Sequence, residues 1–401
     1  MQEKQLHIIW FKRDLRLSDH RGIYNALKSG HKILLLYIQD EGLLNAPQYS
    51  ERHWTFIKQS LLDMNAVLDP LSTQVMACRG SALSIFKRLS RQYKIREVHH
   101  YEELGIEYVY RRDQQLRRYF KNNGINLSTY VRNGLKNWSS HMETEILNYE
   151  LNAEAFVNKS KIDALYLQFP PMNLFYNSND LFQVGGSRAA METLLNYQGG
   201  ESRLSPYISW GNLSVKQVYK YAKTNGYSEL INHLRKQNLI MNDYRVRQKL
   251  AEPKLNESIS SNFKGAWENA ATGFPLIDAS LKCLEQTGFL PYKFRIYLVN
   301  FYTQYLLQPW QDVAVFLSQR FLDFHPAIHY PQLINTKEYV QSAEVLDPQG
   351  EFIKNWIKAL RNVPTKNIFK PYLMTTLEQQ KYQIKIGKDY PKPINALHYD
   401  L

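Results

Sequence analysis

A change of period part-way along the chain limits its fold more than any other feature. In the first third, short β-rich runs at Leu6–Phe11, Ile33–Ile38, Gln74–Cys78 and Ile95–Tyr101 alternate with helical patterns over Arg52–Asp69 and Ser81–Tyr93. Strand and helix in alternation give right-handed crossovers and a mostly parallel sheet. The predicted N-terminal fold is therefore an open, doubly wound α/β domain over residues 1–134. From 135 to 185 the pattern weakens around Pro170-Pro171 and the polar cluster Asn177-Ser178-Asn179-Asp180, which predicts a connector. Beyond it the apolar spacing is helical at nearly every step. Pro275 opens a run with Leu276, Ile277, Leu281 and Leu284 on one face, Asp278 suits the first-turn dipole, and Gly288 ends the helix. Residues 186–401 are expected to be all-α.

Size and charge narrow the function classes. A chain of 401 residues predicts two or three domains. Lys and Arg number 50 against 37 Asp and Glu, a formal charge of +13 that makes a polyanion such as DNA the natural partner. A basic solvated surface is the plainer alternative. The two cysteines, Cys78 and Cys283, argue against a disulfide framework or a zinc site and suit a reducing cytoplasm. The polar start and short apolar runs predict neither a secretory signal nor a membrane span. No repeat, heptad seam or phosphate-loop fingerprint is present; Gly185-Gly186 and Gly199-Gly200 complete neither dinucleotide motif.

Four segments carry the chemistry. Trp10 to His20 (WFKRDLRLSDH) follows the first strand, where an open sheet has its ligand crevice. Read from its residues, Arg13, Asp14 and Arg16 there form a structural ion network. Glu201 to Ser214 (ESRLSPYISWGNLS) places hydroxyls and backbone amides at a helix start, where an anion can sit and where Ser202 and Ser205 also read as plain caps. A third segment runs from Trp267 through Thr272-Gly273-Phe274-Pro275 and Asp278 to Arg295, Trp310 and Asp323. The last runs from Leu346 (LDPQGEFI) to Trp356 and then Ala359 to Pro364.

Together these segments resemble the photolyase and cryptochrome family over most of residues 6–134 and 183–372. The resemblance implies that the helical domain holds FAD, with Ser202, Arg203, Leu204 and Ser205 at its phosphates and Asn242, Arg295, Asp323, His325 and His329 toward the flavin. It implies an Arg295–Asp323 ion pair beside the isoalloxazine ring, tuning the flavin's redox states. Arg295, Asp323, His329 and Trp310 are the catalytic candidates, with Phe289 and Tyr292 facing substrate. An antenna chromophore of unassigned identity is implied in the α/β domain. A monomer is expected, and no metal: His325, His329 and Asp323 could be read as a ligand set, but Pro326 interrupts the helix and no further ligand is evident.

The chain departs from the family in ways that bear on activity. His329 stands where photolyases carry an Asn facing flavin N5, and an imidazole there could move a proton. Of the family's three-Trp electron chain only the middle member is matched, by Trp310. The proximal position falls near Leu333 and the outer near Glu257, so Tyr330 or Tyr339 would have to substitute. The Trp-Arg-Glu signature that contacts a pyrimidine dimer is replaced near Asn242-Asp243-Tyr244-Arg245, and the chain is shortened around Tyr197–Gly200 and between Leu333 and Asp347. Three readings follow: light-driven repair of cyclobutane pyrimidine dimers in DNA by a deoxyribodipyrimidine photolyase, a cryptochrome-like photoreceptor without repair, and a family member that has lost FAD and acts by binding.

Overall fold

The computed structural model describes residues 5–131, 145–172, 181–247, 262–334 and 341–394. The chain divides into two compact units. The first holds residues 1–178, 184–250 and 322–328; the second holds 179–183, 251–321 and 329–401.

The first unit is built on five parallel strands, β1 (Gln5–Phe11), β2 (Lys32–Gln39), β3 (Met76–Arg79), β4 (Lys94–Tyr101) and β5 (Asn126–Tyr130), in the order β3-β2-β1-β4-β5. The order reverses at β1, so the sheet is doubly wound. Alternation along β1 explains its two faces. Leu6, Ile8 and Trp10 join one core with Phe86, Leu89, Leu116 and Phe120 of the helices Ala82–Gln92 and Glu107–Asn122. Ile9 and Phe11 join the other with Ile23, Phe56, Ile57 and Leu61 of Arg21–Lys28 and Glu51–Leu68. Parallel strands covered on both faces read as near-continuous apolar runs, which is why β1 and β2 were visible in the sequence, while β4 (KIREVHHY) was marked by Ile95, Val98 and Tyr101.

β5 (NLSTY) is the strand missed, because it is a half-exposed edge without an apolar run. Pro170 to Met172 of the expected connector cover the opposite edge. Arg79 N donates to Pro170 O at 2.7 Å, Met172 N donates to Ala77 O at 3.0 Å, and Cys78 bridges antiparallel to Pro171. The helices Ser187–Leu195, Ser205–Trp210, Val215–Thr224 and Ser228–Arg247 complete this unit.

The described part of the second unit is helical. Its central helix, Pro275–Thr287, starts at Pro275 and ends on Gly288 in the left-handed conformation (φ 69°), as the caps predict. Tyr292–Asn300 continues into a π-helical turn, Phe301–Tyr305. The Leu346–Ile353 segment is explained structurally: Asp347 accepts from Phe352 N (3.1 Å) and Ile353 N (2.9 Å), capping the helix Glu351–Trp356. Among the described residues no helix is long and apolar enough to cross a membrane.

Candidate functional site

The site begins where β1 ends, in the Trp10–His20 motif. Lys12, Arg13, Asp14, Arg16 and His20 are all buried, and each charge has a partner of opposite sign or a carbonyl. Lys12 Nζ lies 3.1 Å from Asp113, and Arg13 Nε lies 3.4 Å from Glu103. Arg112 reaches both Glu103 and Asp113 at 2.9 Å, and His20 Nε2 meets Asp14 at 2.7 Å. Burial alone would raise the three carboxyls. No single partner outweighs it, but the sum does: for Asp14 the His20 hydrogen bond and charge with the Lys12 N–H and Arg16, for Glu103 the charges of Arg112, Lys12 and Arg13, and for Asp113 those of Arg112, Lys12 and His100, so all three titrate below the usual carboxylate range.

A carboxylate with a depressed folded pKa contributes stability above its ordinary pKa, and that contribution fades as pH falls through the folded value. Stability of the first unit should therefore decline as the pH drops below about 5. Arg112→Gln should raise the acid midpoint followed by tryptophan fluorescence. An unmoved midpoint would mean that this network does not govern acid unfolding.

The same motif holds two distant segments of the first unit. Arg13 lies 4.1 Å from the Trp210 ring centroid, donates to Phe324 O at 2.9 Å and to Tyr49 Oη at 3.0 Å. Leu15 N donates to Trp210 O (3.1 Å), Asn212 Nδ2 to Leu15 O (3.0 Å), and Arg16 to Gly211 O (3.1 Å). Trp210 Nε1 donates to Leu322 O at 2.8 Å and Ser209 Oγ to Asp323 O at 2.9 Å. The Ser205–Trp210 helix and the Asp323–His325 strip are thereby fixed together. Sequence reading treated them as separate candidates. Asp323 and His325 are buried there.

Ser202 Oγ accepts from Leu204 N at 3.4 Å, and between them Arg203 is left-handed (φ 50°), a costly conformation for a non-glycine residue. Leu204 is buried. Ser205 Oγ, in the first turn of its helix, is buried and has no hydrogen-bond partner among the described residues. Asn242 Oδ1 accepts from Arg245 (2.5 Å), whose Nε bridges to Glu102 at 2.9 Å. Asn242 is therefore hydrogen-bonded to the arginine of the Arg245–Glu102 ion pair.

The second unit places its candidates on one string of rings. Arg295 donates to Leu290 O at 2.6 Å and lies 4.2 Å from the Phe321 ring and 5.7 Å from Phe289. Phe321 packs edge-on to His329 at 6.2 Å, His329 to Tyr330 at 5.5 Å, and Tyr330 lies 6.4 Å from Trp310. Tyr330 and Leu333 are buried, Phe289 is 7% exposed and Tyr292 is 41% exposed. His329 Nε2 stands 2.9 Å from Ala314 O and so must carry the proton. Neutral His329 thus presents Nδ1 as an acceptor, and Nδ1 donates only once the ring is cationic. Trp267, fully buried against Tyr302 and Phe316, has an indole N–H without a partner among the described residues. Glu257, Tyr339 and the Asn177–Asp180 cluster lie outside those residues.

Residues 7–144 match the family model for DNA photolyase, and residues 226–399 match that for the FAD binding domain of DNA photolyase. The chain belongs to the photolyase and cryptochrome family. It is 22% identical to a cryptochrome DASH of Synechocystis sp., over 98% of this chain and 95% of the relative. It is 27% identical to a deoxyribodipyrimidine photo-lyase of Alkalihalophilus pseudofirmus, over 49% of this chain and 46% of that one. Two solved photolyases share the fold. A bacterial class III photolyase from Agrobacterium tumefaciens has a TM-score of 0.83 at 17% identity, covering 98% of this chain and 95% of the other. An archaeal photolyase from Sulfolobus tokodaii, described with two FAD molecules, has a TM-score of 0.78 at 22% identity, covering 97% and 96%.

FAD is the cofactor of this family's helical domain. The buried hydroxyl of Ser205 suits it, because a donor shut away from water and without a partner is completed by an anionic ligand. The photolyase-type opening motif serves as a clamp on the Ser205 helix and the Asp323 strip, the structural role its residues suggested.

Proposed function

We propose that this chain is a blue-light flavoprotein that splits cyclobutane pyrimidine dimers in DNA. When bound and reduced, FAD would lend a photoexcited electron to the dimer and take it back once the cyclobutane ring has split, so the flavin ends as it began. The observation that carries the reading is the buried, partnerless Ser205 hydroxyl on a helix locked to the Asp323 strip, within a chain whose residues 226–399 match the photolyase FAD domain. In this reading Ser202, Arg203, Leu204 and Ser205 grip the phosphates, and Asn242 and His325 complete the cofactor's surroundings. Arg295 and Asp323 are assigned to the flavin ring, and His329, holding a proton at Nε2, is assigned to its N5 side. Phe289 and Tyr292 face the flipped base, for which stacking on aromatic rings is the general mode of recognition. Trp310 and Tyr330, 6.4 Å apart, form a two-ring electron path in place of three tryptophans. The charge of +13 supports the DNA partner.

An antenna pigment in the α/β unit belongs to the same proposal. The Sulfolobus tokodaii relative is described with a light-harvesting cofactor, and a cavity of about 620 Å³ lined by Leu17, Met64, Val67, Tyr149 and Ser187 is of ligand size. A cryptochrome-like photoreceptor without repair is the second reading, favoured by the cryptochrome DASH match along 98% of the chain and by the missing Trp-Arg-Glu signature.

Dimer-containing DNA, reductant and blue light separate the two. Repair is expected to consume dimers, and Asp323→Asn is expected to slow flavin photoreduction about tenfold, equivalent to about 1.4 kcal/mol. A yellow protein that leaves dimers intact would overturn the repair reading and leave the receptor one. A colourless protein that takes up no FAD on reconstitution would overturn both. An unchanged spectrum and photoreduction rate in Asp323→Asn would remove Asp323 from the flavin site.

A further inference from the structure

The first half of β1 and the middle of β4 carry a polar cluster that the flavin reading does not use. His7 and His99 are each 2% exposed, and His7 Nδ1 lies 3.0 Å from His99 Nε2. The His7 ring is stacked between His99 (5.2 Å) and His31 (5.1 Å). Glu97 Oε1 stands 3.8 Å from His99 Nδ1, and one ligand atom from each of His7, Glu97 and His99 lies within 4.8 Å of the others. His7 Nε2 is buried and has no hydrogen-bond partner among the described residues.

A fault in the sheet assembles this group. Leu6 pairs with Ile95 but His7 pairs with Glu97, so Arg96 is an extra residue in β4. In unbroken register His7 would sit opposite Arg96, and Glu97 and His99 would point to the far face with Ile8. The bulge turns both onto the face of His7, the kind of re-aiming that bulges achieve at functional positions. Val98 then joins the core that holds Leu6, Ile8 and Ile95, as the shifted phase requires.

The surroundings are those of a metal ligand set. His99 Nδ1 is 2.8 Å from Tyr130 Oη, which orients the ring and leaves Nε2 for His7 or an ion; Ser128 Oγ donates to Glu97. Two imidazoles on a tetrahedral zinc, with Zn–N about 2.0–2.1 Å, lie about 3.3–3.4 Å apart, so the pair needs to open by only a few tenths of an ångström. The Glu97 side chain is 22% exposed, giving an ion a way in.

We propose that His7, His99 and Glu97 form a divalent transition-metal site, two imidazoles and one carboxylate with water in the fourth position, fitted to Zn²⁺ rather than to Mg²⁺ or Ca²⁺. The ion pins β1 to β4 at the end of the sheet opposite the clamp motif.

The test is calorimetric titration of the EDTA-treated, dialysed full chain with ZnCl₂, with the melting temperature as a second readout. One Zn²⁺ per chain and a higher melting temperature are expected, with MgCl₂ giving neither. Glu97→Gln, at the exposed rim, should retain the fold and weaken Zn²⁺ binding about 10–100-fold, and His7→Asn should abolish it. If His7→Asn does not fold, Glu97→Gln decides. The proposal is overturned if the wild-type chain takes up no Zn²⁺, or if Glu97→Gln binds it as tightly as wild type, which would put the ion elsewhere. The readouts are independent of flavin content, so failure here leaves the flavoprotein reading untouched.

Discussion

Gly211→Ala is expected to lower the melting temperature by roughly 10 °C and to reduce the flavin retained on purification. Gly211 has φ +79°, a conformation that costs an L-residue about 1–2 kcal/mol. Its position adds more: a Cβ there would lie 2.2 Å from Arg13 O and 2.6 Å from Asp14 Cα. Both are backbone atoms, so the Ser205–Trp210 helix and the Trp10–His20 motif would have to separate. Three hydrogen bonds cross that contact, from Leu15 N, Asn212 Nδ2 and Arg16, each contributing about 0.5–1.5 kcal/mol net. Strain and lost bonds together come to about 4 kcal/mol.

Gly200→Ala is the control. Its φ of +74° is nearly the same, but no atom lies within 4 Å of its would-be Cβ, so only the conformational cost of about 1 kcal/mol applies. If the two variants melt alike, close approach of the motif to Gly211 is not what matters. The proposed coupling to flavin binding fails separately if Gly211→Ala melts early yet purifies with full flavin content.

This clamp also marks where sequence reasoning stops. The strands that lie inside the sheet were legible to within about two residues, β1 and β2 because burial on both faces favours near-continuous apolar runs, β4 from its β-branched and aromatic residues. The Pro275 helix was legible at both ends, because proline presets the helical φ at the first position and glycine just past the end takes the left-handed φ that other residues avoid. The charges of the opening motif were recognisable as an ion network. What could not be read was that Arg13 spans 311 residues to the Phe324 carbonyl, since nothing local in either segment names the other. The bulge at Arg96 was equally hidden. Its trace is that Ile95 and Val98, three residues apart, face the same core, which a strand of regular period two forbids. Residues after 372 matched no motif, yet the chain from Tyr390 to Ile394 is tied to the start of the second unit's central helix.

That tie sets the other large expectation: Asp278→Ala should destabilise the second unit by about 4 kcal/mol. The Asp278 carboxylate is fully buried and accepts four bonds, from Thr272 N (2.8 Å), Thr272 Oγ1 (2.7 Å), Gly273 N (3.1 Å) and Tyr390 Oη (2.6 Å). Removing the acceptor strands several buried donors at about 1–3 kcal/mol each, only some of which relax into other partners. Tyr390→Phe deletes one donor and no acceptor, so about 1 kcal/mol is expected. The residues are in direct contact, so the effects should not add: the double variant should melt close to Asp278→Ala alone. Ile394 N donates to Thr272 O at 2.9 Å, and a Cβ on Gly273 would lie 2.4 Å from the Lys392 backbone carbon. The 390–394 segment therefore closes over the loop that Asp278 organises. Protease cleavage within 385–394 should accelerate in Asp278→Ala before global unfolding begins. Additive melting shifts with no added cleavage there would show that the tail is held by its apolar contacts instead.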